Sequence, residues 1–184
     1  MRALLLVCLQ AAAALAAGTR SEQVDPATGL MSWKVDGQAF SIELIQVLPD
    51  YVRAVYSARG LPPEVVDEVS SYCVFGTIIR NTTAQPLSYR VADWRYITPD
   101  GTEHPLKTKT EWVEEWRSMG VAFRWSMLAD EQTFSEGDWV QGFSTVKLAP
   151  GSRFDLRYSW RQHGKTITGT IEGVRCAPAE APER

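Results

Sequence analysis

The sequence predicts a mostly β chain, an antiparallel sandwich carrying a helical insertion at about 49–72 and a short helix at about 111–119. Three observations predict it. Short runs rich in Val, Ile, Thr, Tyr, Phe and Trp recur roughly every 8 to 12 residues, the spacing of a sandwich or barrel. Turn formers separate them: Asp36-Gly37, Pro99-Asp100-Gly101, Ala149-Pro150-Gly151-Ser152 and His163-Gly164. Two stretches leave the period of two for one of three to four, and these are the expected helices. An up-and-down barrel is the rival architecture for the same rhythm.

The chain opens on a positive start, Met1-Arg2, and an apolar run from Ala3 to Ala16 broken only by Gln10. Small residues at Ala14 and Ala16 suit signal peptidase, so residues 1–16 read as a secretory signal peptide. The run is too short to span a bilayer, which takes roughly 20 apolar residues. Val7 before Cys8 is not the small residue that a lipobox needs. Residues 17–30 are small, polar and aperiodic, and read as a flexible leader. A single domain then covers 31–176, and the Pro-, Ala- and Glu-rich end, 177–184, reads as a frayed tail.

Within the domain, Met31 to Val35 and Gln38 to Leu48 flank Asp36-Gly37 as a hairpin, with Phe40, Ile42 and Leu44 on one face. Pro49 suits a first helical position, Val52, Val55 and Tyr56 recur at helical spacing, and Gly60 suits a helix end. Pro62 and Pro63 open a second helix with Val65, Val66, Val69 and Tyr72 on one side. This insertion is expected to cap an open end of the core. Cys73 to Arg80 and Leu87 to Thr98 read as strands, and Pro105 to Thr110 as a short edge strand. Glu111 to Met119 reads as a helix ended by Gly120. Val121, Phe123, Trp125 and Met127 then alternate with polar or small residues as the cleanest strand signature in the chain. Trp139 to Leu148, Phe154 to Trp160 and Thr166 to Cys176 complete the set.

Composition narrows function. The net charge is −3 and the basic residues are scattered, so no basic patch for nucleic acid or anionic lipid is expected. Loss of the signal peptide removes Cys8 and leaves Cys73 and Cys176, which an oxidising compartment would join. No cofactor is expected. Only His104 and His163 are available as imidazoles, both in turns, and no zinc spacing occurs. A copper carrier would have to use the isolated Met31, Met119 and Met127 with a histidine or a thiolate. There is no nucleophile elbow, glycine-rich phosphate loop or dinucleotide fingerprint. A hydrolase would need Glu111, Glu114 or Glu115 opposite an acid among Asp130, Glu131, Glu136 and Asp138, all of which have ordinary helix or turn explanations. Asn81-Thr82-Thr83 is an N-glycosylation acceptor if the organism is eukaryotic.

The tryptophans stand out: 7 in all. Four of them, Trp112, Trp116 and Trp125 in the stretch Lys107 to Trp125, and Trp139 beyond it, are the candidate binding residues, because exposed indoles are common interface anchors. Buried, Trp112 and Trp116 would instead cap the sandwich. The rhythm of strand, Pro-Gly turn and strand resembles small exported immunoglobulin-like modules, a likeness of architecture alone. The expectation is therefore a periplasmic or secreted, non-enzymatic sandwich that binds a protein partner in the cell envelope as an accessory or assembly factor. The alternatives are a small-ligand or glycan module using Trp112, Trp116 and Trp139, and a periplasmic copper carrier.

Overall fold

The computed structural model describes residues 18–181, so the expected signal segment lies outside the described residues. The chain runs β1 (Thr19–Val24), β2 (Met31–Asp36), β3 (Phe40–Val47), α1 (Pro49–Ala58), α2 (Pro63–Ser70) and β4 (Cys73–Asn81). It continues with β5 (Leu87–Arg90), a single 3-10 turn (Val91–Asp93), β6 (Arg95–Ile97), β7 (Glu103–Pro105) and α3 (Lys109–Ser118). It closes with β8 (Glu131–Phe134), β9 (Trp139–Val146), β10 (Arg153–Gln162) and β11 (Lys165–Arg175). One antiparallel sheet has the order β1-β2-β3-β4-β9. In the other, β10 is central, with β11 on one side and β5 and β6 sharing the other; β8 and β7 complete the far edge.

The two sheets face each other across one core. Phe40, Ile42 and Leu44 of β3, with Phe75 and Ile79 of β4, meet Phe154, Tyr158 and Trp160 of β10. Phe40 stacks on Trp160 at 4.9 Å, and Phe75 meets Phe154 edge-on at 5.8 Å. Cys73 opens β4 and Cys176 follows β11, and their sulfurs are at bonding distance with the Cα atoms 5.3 Å apart. The bridge joins one sheet to the other. Beside it the buried Gln46 donates to the Arg175 and Cys176 carbonyls and accepts from the Met31 amide, which ties the last strand to the first sheet.

The helices do not close an end of this core. They cover half of the outer face of the first sheet and build a second core of Val52, Tyr56, Val65, Val69, Trp112 and Trp116 on Val74. Of the prolines expected to open helices, Pro49 and Pro63 occupy first helical positions and Pro62 is the N-cap of α2. α3 begins with a capping box: Glu111 accepts from the Thr108 amide, and Thr108 accepts from the Glu111 amide. These two donors of Thr108, backbone first and then hydroxyl, hold the Glu111 carboxyl below its usual range.

Several boundaries differ from the expectations for physical reasons. The flexible leader contains β1, an edge strand that pairs with β2 over six residues although its side chains are nearly all exposed. Backbone pairing, not burial, holds it, so alternation had nothing to mark. Thr19–Val24 is therefore part of the first sheet. At the other end Ala177 is buried and accepts from the Gly151 amide, so the first residue of the expected tail belongs to the fold. In the β2–β3 hairpin the tip is Gln38-Ala39, two residues beyond Asp36-Gly37. Gly37 instead pairs with Phe40, and an added Cβ there would lie 2.8 Å from the Phe40 carbonyl oxygen.

The expected strand Leu87 to Thr98 is broken by the turn at Val91–Asp93. Leu87, Tyr89 and Val91 point inward as odd residues, and after the turn Trp94 and Tyr96 do so as even ones. The break resets the phase and lets the Trp94 indole donate to the Ser159 carbonyl at 3.1 Å. The edge strand expected at 105–110 lies earlier, at Glu103–Pro105, and Lys109 already starts α3. Glu131–Phe134, where the sequence suggests turn residues and no strand, is β8. The clean alternation from Val121 to Met127 is not a strand. Val121 and Phe123 pack into the helical core, and only Met127 makes a bridge, parallel to Phe143.

Asn81, the candidate glycan acceptor, is buried. Its amide donates to the Gln85 and Ser135 carbonyls at 2.9 Å each, and its oxygen accepts from the Thr83 amide at 3.0 Å. Both N–H groups of its side-chain amide, the nitrogen a glycan would be joined to, are therefore engaged inside the fold. Asn81→Ala leaves those carbonyls without their donor and is expected to lower stability by about 2 kcal/mol, read as a shift in the urea midpoint at unchanged slope.

Candidate interaction surface

The surface is built by strand alternation. On β3 the inward residues Ile42 and Leu44 leave Ser41, Glu43, Ile45 and Val47 facing out. On β4 the outward set is Val74, Gly76, Ile78 and Arg80, and on β9 it is Trp139, Gln141, Phe143 and Thr145. Register aligns them in cross-strand rows. The row Val47, Val74, Thr145 lies under the helices. The next row, Ile45, Gly76, Phe143, begins at the edge of the helical cover, where Phe143 still packs on the helical core, and with Ile78 and Gln141 of the row beyond it floors a shallow depression of about 350 Å³. Gly76 contributes no side chain, and an added Cβ would meet nothing nearer than Ile45 at 3.8 Å, so the notch is open.

The four candidate tryptophans separate into two pairs. Trp112 and Trp116 are fully buried, at 0% exposure, with their rings 5.7 Å apart. The Trp112 indole donates to the Thr145 hydroxyl at 3.0 Å, which pins α3 to β9. These two are not surface anchors: the four-residue spacing that pairs them on one helical face turns that face toward the sheet. Trp125 is 73% exposed and Trp139 is 50% exposed. Trp139 ends the outer row of β9, with the Arg80 guanidinium 5.2 Å from its ring centre, a cation–π contact. Trp139 and Phe143 are four residues apart on one strand, about 13 Å.

Trp125 is held out by its successor. Ser126 has φ 77, a left-handed conformation that costs a residue with a Cβ about 1 kcal/mol or more. It is fixed from three sides. The Tyr56 hydroxyl of α1 bonds the Ser126 hydroxyl at 2.7 Å, the Phe143 amide donates to the Ser126 carbonyl at 2.6 Å, and the Leu128 amide returns a bond to the Phe143 carbonyl at 2.8 Å. Burial pushes the Tyr56 hydroxyl up to about 12, with the Ser126 bond opposing, so it remains protonated at neutral pH. The packing beneath is close: a Cβ on Gly142 would sit 2.5 Å from the Leu128 nitrogen. The result is a defined turn that sends Met127 inward and Trp125 outward.

The other candidate residues each have partners within the fold. Asp130 caps α3, accepting from the Lys109 and Thr110 amides and the Thr110 hydroxyl. Asp138 accepts from the Ser135 amide at 2.7 Å. Glu115 pairs with Lys107, whose ammonium also lies 3.6 Å from Glu68 and 3.5 Å from the centre of the Trp112 ring. Beside Glu115, and with burial adding to the effect, the Glu68 carboxyl is held above its usual range. The Glu115 carboxyl is held below, through its hydrogen bond with Glu68 and then that with Lys107. This triad locks α2 to α3. The copper candidates are dispersed: Met31 packs on the main core, Met127 lies under Tyr56, Met119 caps α3, and His104 stacks on Tyr96. Among the described residues no three His, Cys, Asp or Glu side chains gather as a metal site.

Sequence reasoning missed Ile45, Gly76, Ile78 and Arg80. Ile45 carried a signal, because with Val47 it turns apolar the phase of β3 that Ser41 and Glu43 begin as polar. In β4 the run Val74-Phe75-Gly76-Thr77-Ile78-Ile79 is apolar on both faces, one facing the main core and the other the helices and the depression, so alternation could not sort it.

The fold and this surface define an antiparallel β-sandwich whose first sheet is half covered by a three-helix cap, with an aromatic-bordered strip left open. Comparison with known proteins gave no matching family, no matching curated protein and no matching solved structure. Among the described residues no helix is long and apolar enough to cross a membrane.

Proposed function

We propose that the protein is an exported, non-enzymatic sandwich that docks a protein partner on the open half of the outer face of its first sheet, as an accessory or assembly factor of the envelope. The observation that carries this reading is the exposure of Trp125, 73% free on a turn held by three hydrogen bonds, next to Ser126 of the depression's lining, with the half-exposed Trp139 one cross-strand row beyond Gln141. Large aromatic side chains displayed on a rigid frame are the usual anchors of interfaces, because they bury much apolar area with little loss of freedom. The Cys73–Cys176 pairing supports an oxidising compartment. The glycan reading has less behind it, since two of its three rings, Trp112 and Trp116, are interior.

Site-specific photo-crosslinking in the producing organism tests this. A crosslinking side chain at position 125 or 139 is expected to trap one discrete protein. The same group at Thr166, exposed on β11 of the opposite sheet, is expected to trap none. Trp125→Ala with Trp139→Ala is expected to abolish the product of a third probe at Gln141, with stability changed by no more than about 1 kcal/mol because both rings are largely exposed. Absence of crosslinks at both 125 and 139 removes the reading.

A further inference from the structure

We infer that the partner engages this surface as an extended strand, added to the open edge of β9 beside Trp139–Gln141; this rests on the docking reading above. The argument begins with the hydrogen-bond alternation of an antiparallel pair. The Asn81 amide bonds the Asp138 carbonyl at 2.9 Å, so even-numbered residues of this stretch direct their backbone groups toward β4. Odd-numbered residues direct theirs away. Phe143 does so visibly, with its amide on Ser126 and its carbonyl taken by Leu128. By the same parity the amides and carbonyls of Trp139 and Gln141 face away from the sheet. Among the described residues nothing takes them up.

The chain itself fills part of this edge and then leaves it. Ser126 to Leu128 runs parallel to β9 beside Phe143. A strand continued backward from Ser126 would cover Gln141 and then Trp139, and the alternation of Val121, Phe123 and Trp125 is strand-like. The left-handed φ of Ser126 prevents this, and Val121 and Phe123 are held in the helical core instead. What remains is a slot about three residues, or about 10 Å, long. Two donors and two acceptors face it, with Trp139 at one end and Trp125 beside the other. Strand addition to such an edge draws affinity from main-chain bonds and specificity from alternate side chains. The ligand class is thus an extended peptide segment of about four or five residues, apolar where it meets Trp139. Two other occupants compete for the slot: the protein's own 121–125 segment, and the β9 edge of a second copy.

The test uses a phage-displayed random heptapeptide library selected on the mature, oxidised protein. Enriched peptides are expected to bind the wild type. They are expected to slow amide exchange at Trp139 and Gln141 by about tenfold or more, and to lose at least about tenfold in affinity with Gln141→Pro. Proline is tolerated there because the lost N–H faces away from β4. If that variant does not fold, exchange at the two wild-type amides decides alone. Peptides that need Trp125 and Trp139 yet survive Gln141→Pro and protect other amides overturn strand addition while leaving the docking face standing. No enriched peptide overturns the inference. So does protection of the two amides in the free monomer, which places 121–125 in the slot, and so does self-association lost with Gln141→Pro, which places a second copy there.

Discussion

Replacing Cys73 and Cys176 together by alanine is expected to lower the free energy of unfolding by about 4 kcal/mol, the largest single change available outside the aromatic cores. The two residues are separated by 103 positions in sequence, so the bridge closes a loop that spans most of the domain. In the chain-entropy account, closing a loop of this length removes about 4 to 5 kcal/mol of freedom from the unfolded chain. Its native location adds to the effect. It joins the start of β4 to the end of β11, one strand from each sheet, where Gln46 and the buried Ala177 depend on the same closure. Urea unfolding of the oxidised protein, the reduced protein and the double variant measures it. The reduced protein and the variant should coincide, and both should show a steeper denaturant slope, because an uncrosslinked unfolded chain exposes more surface. A difference below about 1 kcal/mol between oxidised and reduced protein would mean that the bridge does not constrain the unfolded chain.

What the sequence made legible follows burial on one face. β10 read cleanly because Phe154, Leu156, Tyr158 and Trp160 face the core while Asp155 and Arg157 face water. The helices read cleanly because proline and glycine mark their ends and valines recur on one side. β1 was illegible because an edge strand held by backbone bonds needs no apolar side chain. The Val121–Met127 segment misled for the opposite reason. It alternates perfectly, but Val121 and Phe123 satisfy their hydrophobicity against helices, a tertiary option that no local pattern encodes. The candidate surface was half legible. The sequence shows where the tryptophans cluster, but exposure depends on which way a helical face and one left-handed serine point, and both are set by packing at a distance in sequence.

Trp116→Ala is expected to cost about 4 kcal/mol, and the two phenylalanine variants are expected to differ from each other. Both rings are fully buried between helix and sheet, where truncation loses transfer energy and leaves a cavity. Tyr56 and Phe123 pack on Trp116 at 5.8 Å each, so the cavity opens in the middle of the helical core, next to the Tyr56–Ser126 bond that fixes the Trp125 turn. The indole nitrogens separate the two residues. That of Trp116 has no acceptor among the described residues, whereas that of Trp112 donates to the buried Thr145 hydroxyl. Trp116→Phe therefore removes a polar group that gains nothing, and Trp112→Phe strands Thr145 and also loses the face on which Lys107 rests. Trp112→Phe should be the more damaging by about 1 kcal/mol. Acrylamide quenching reads the same geometry: Trp125→Phe and Trp139→Phe should remove the readily quenched part of the fluorescence, while Trp112→Phe and Trp116→Phe should remove a shielded part. Ready quenching of Trp112 and Trp116 would place α3 off the sheet and release the turn that displays Trp125. The exposed Trp125 is thus coupled to a buried pair it does not touch, and destabilising the helical core should weaken the docking proposed above even with Trp125 and Trp139 intact.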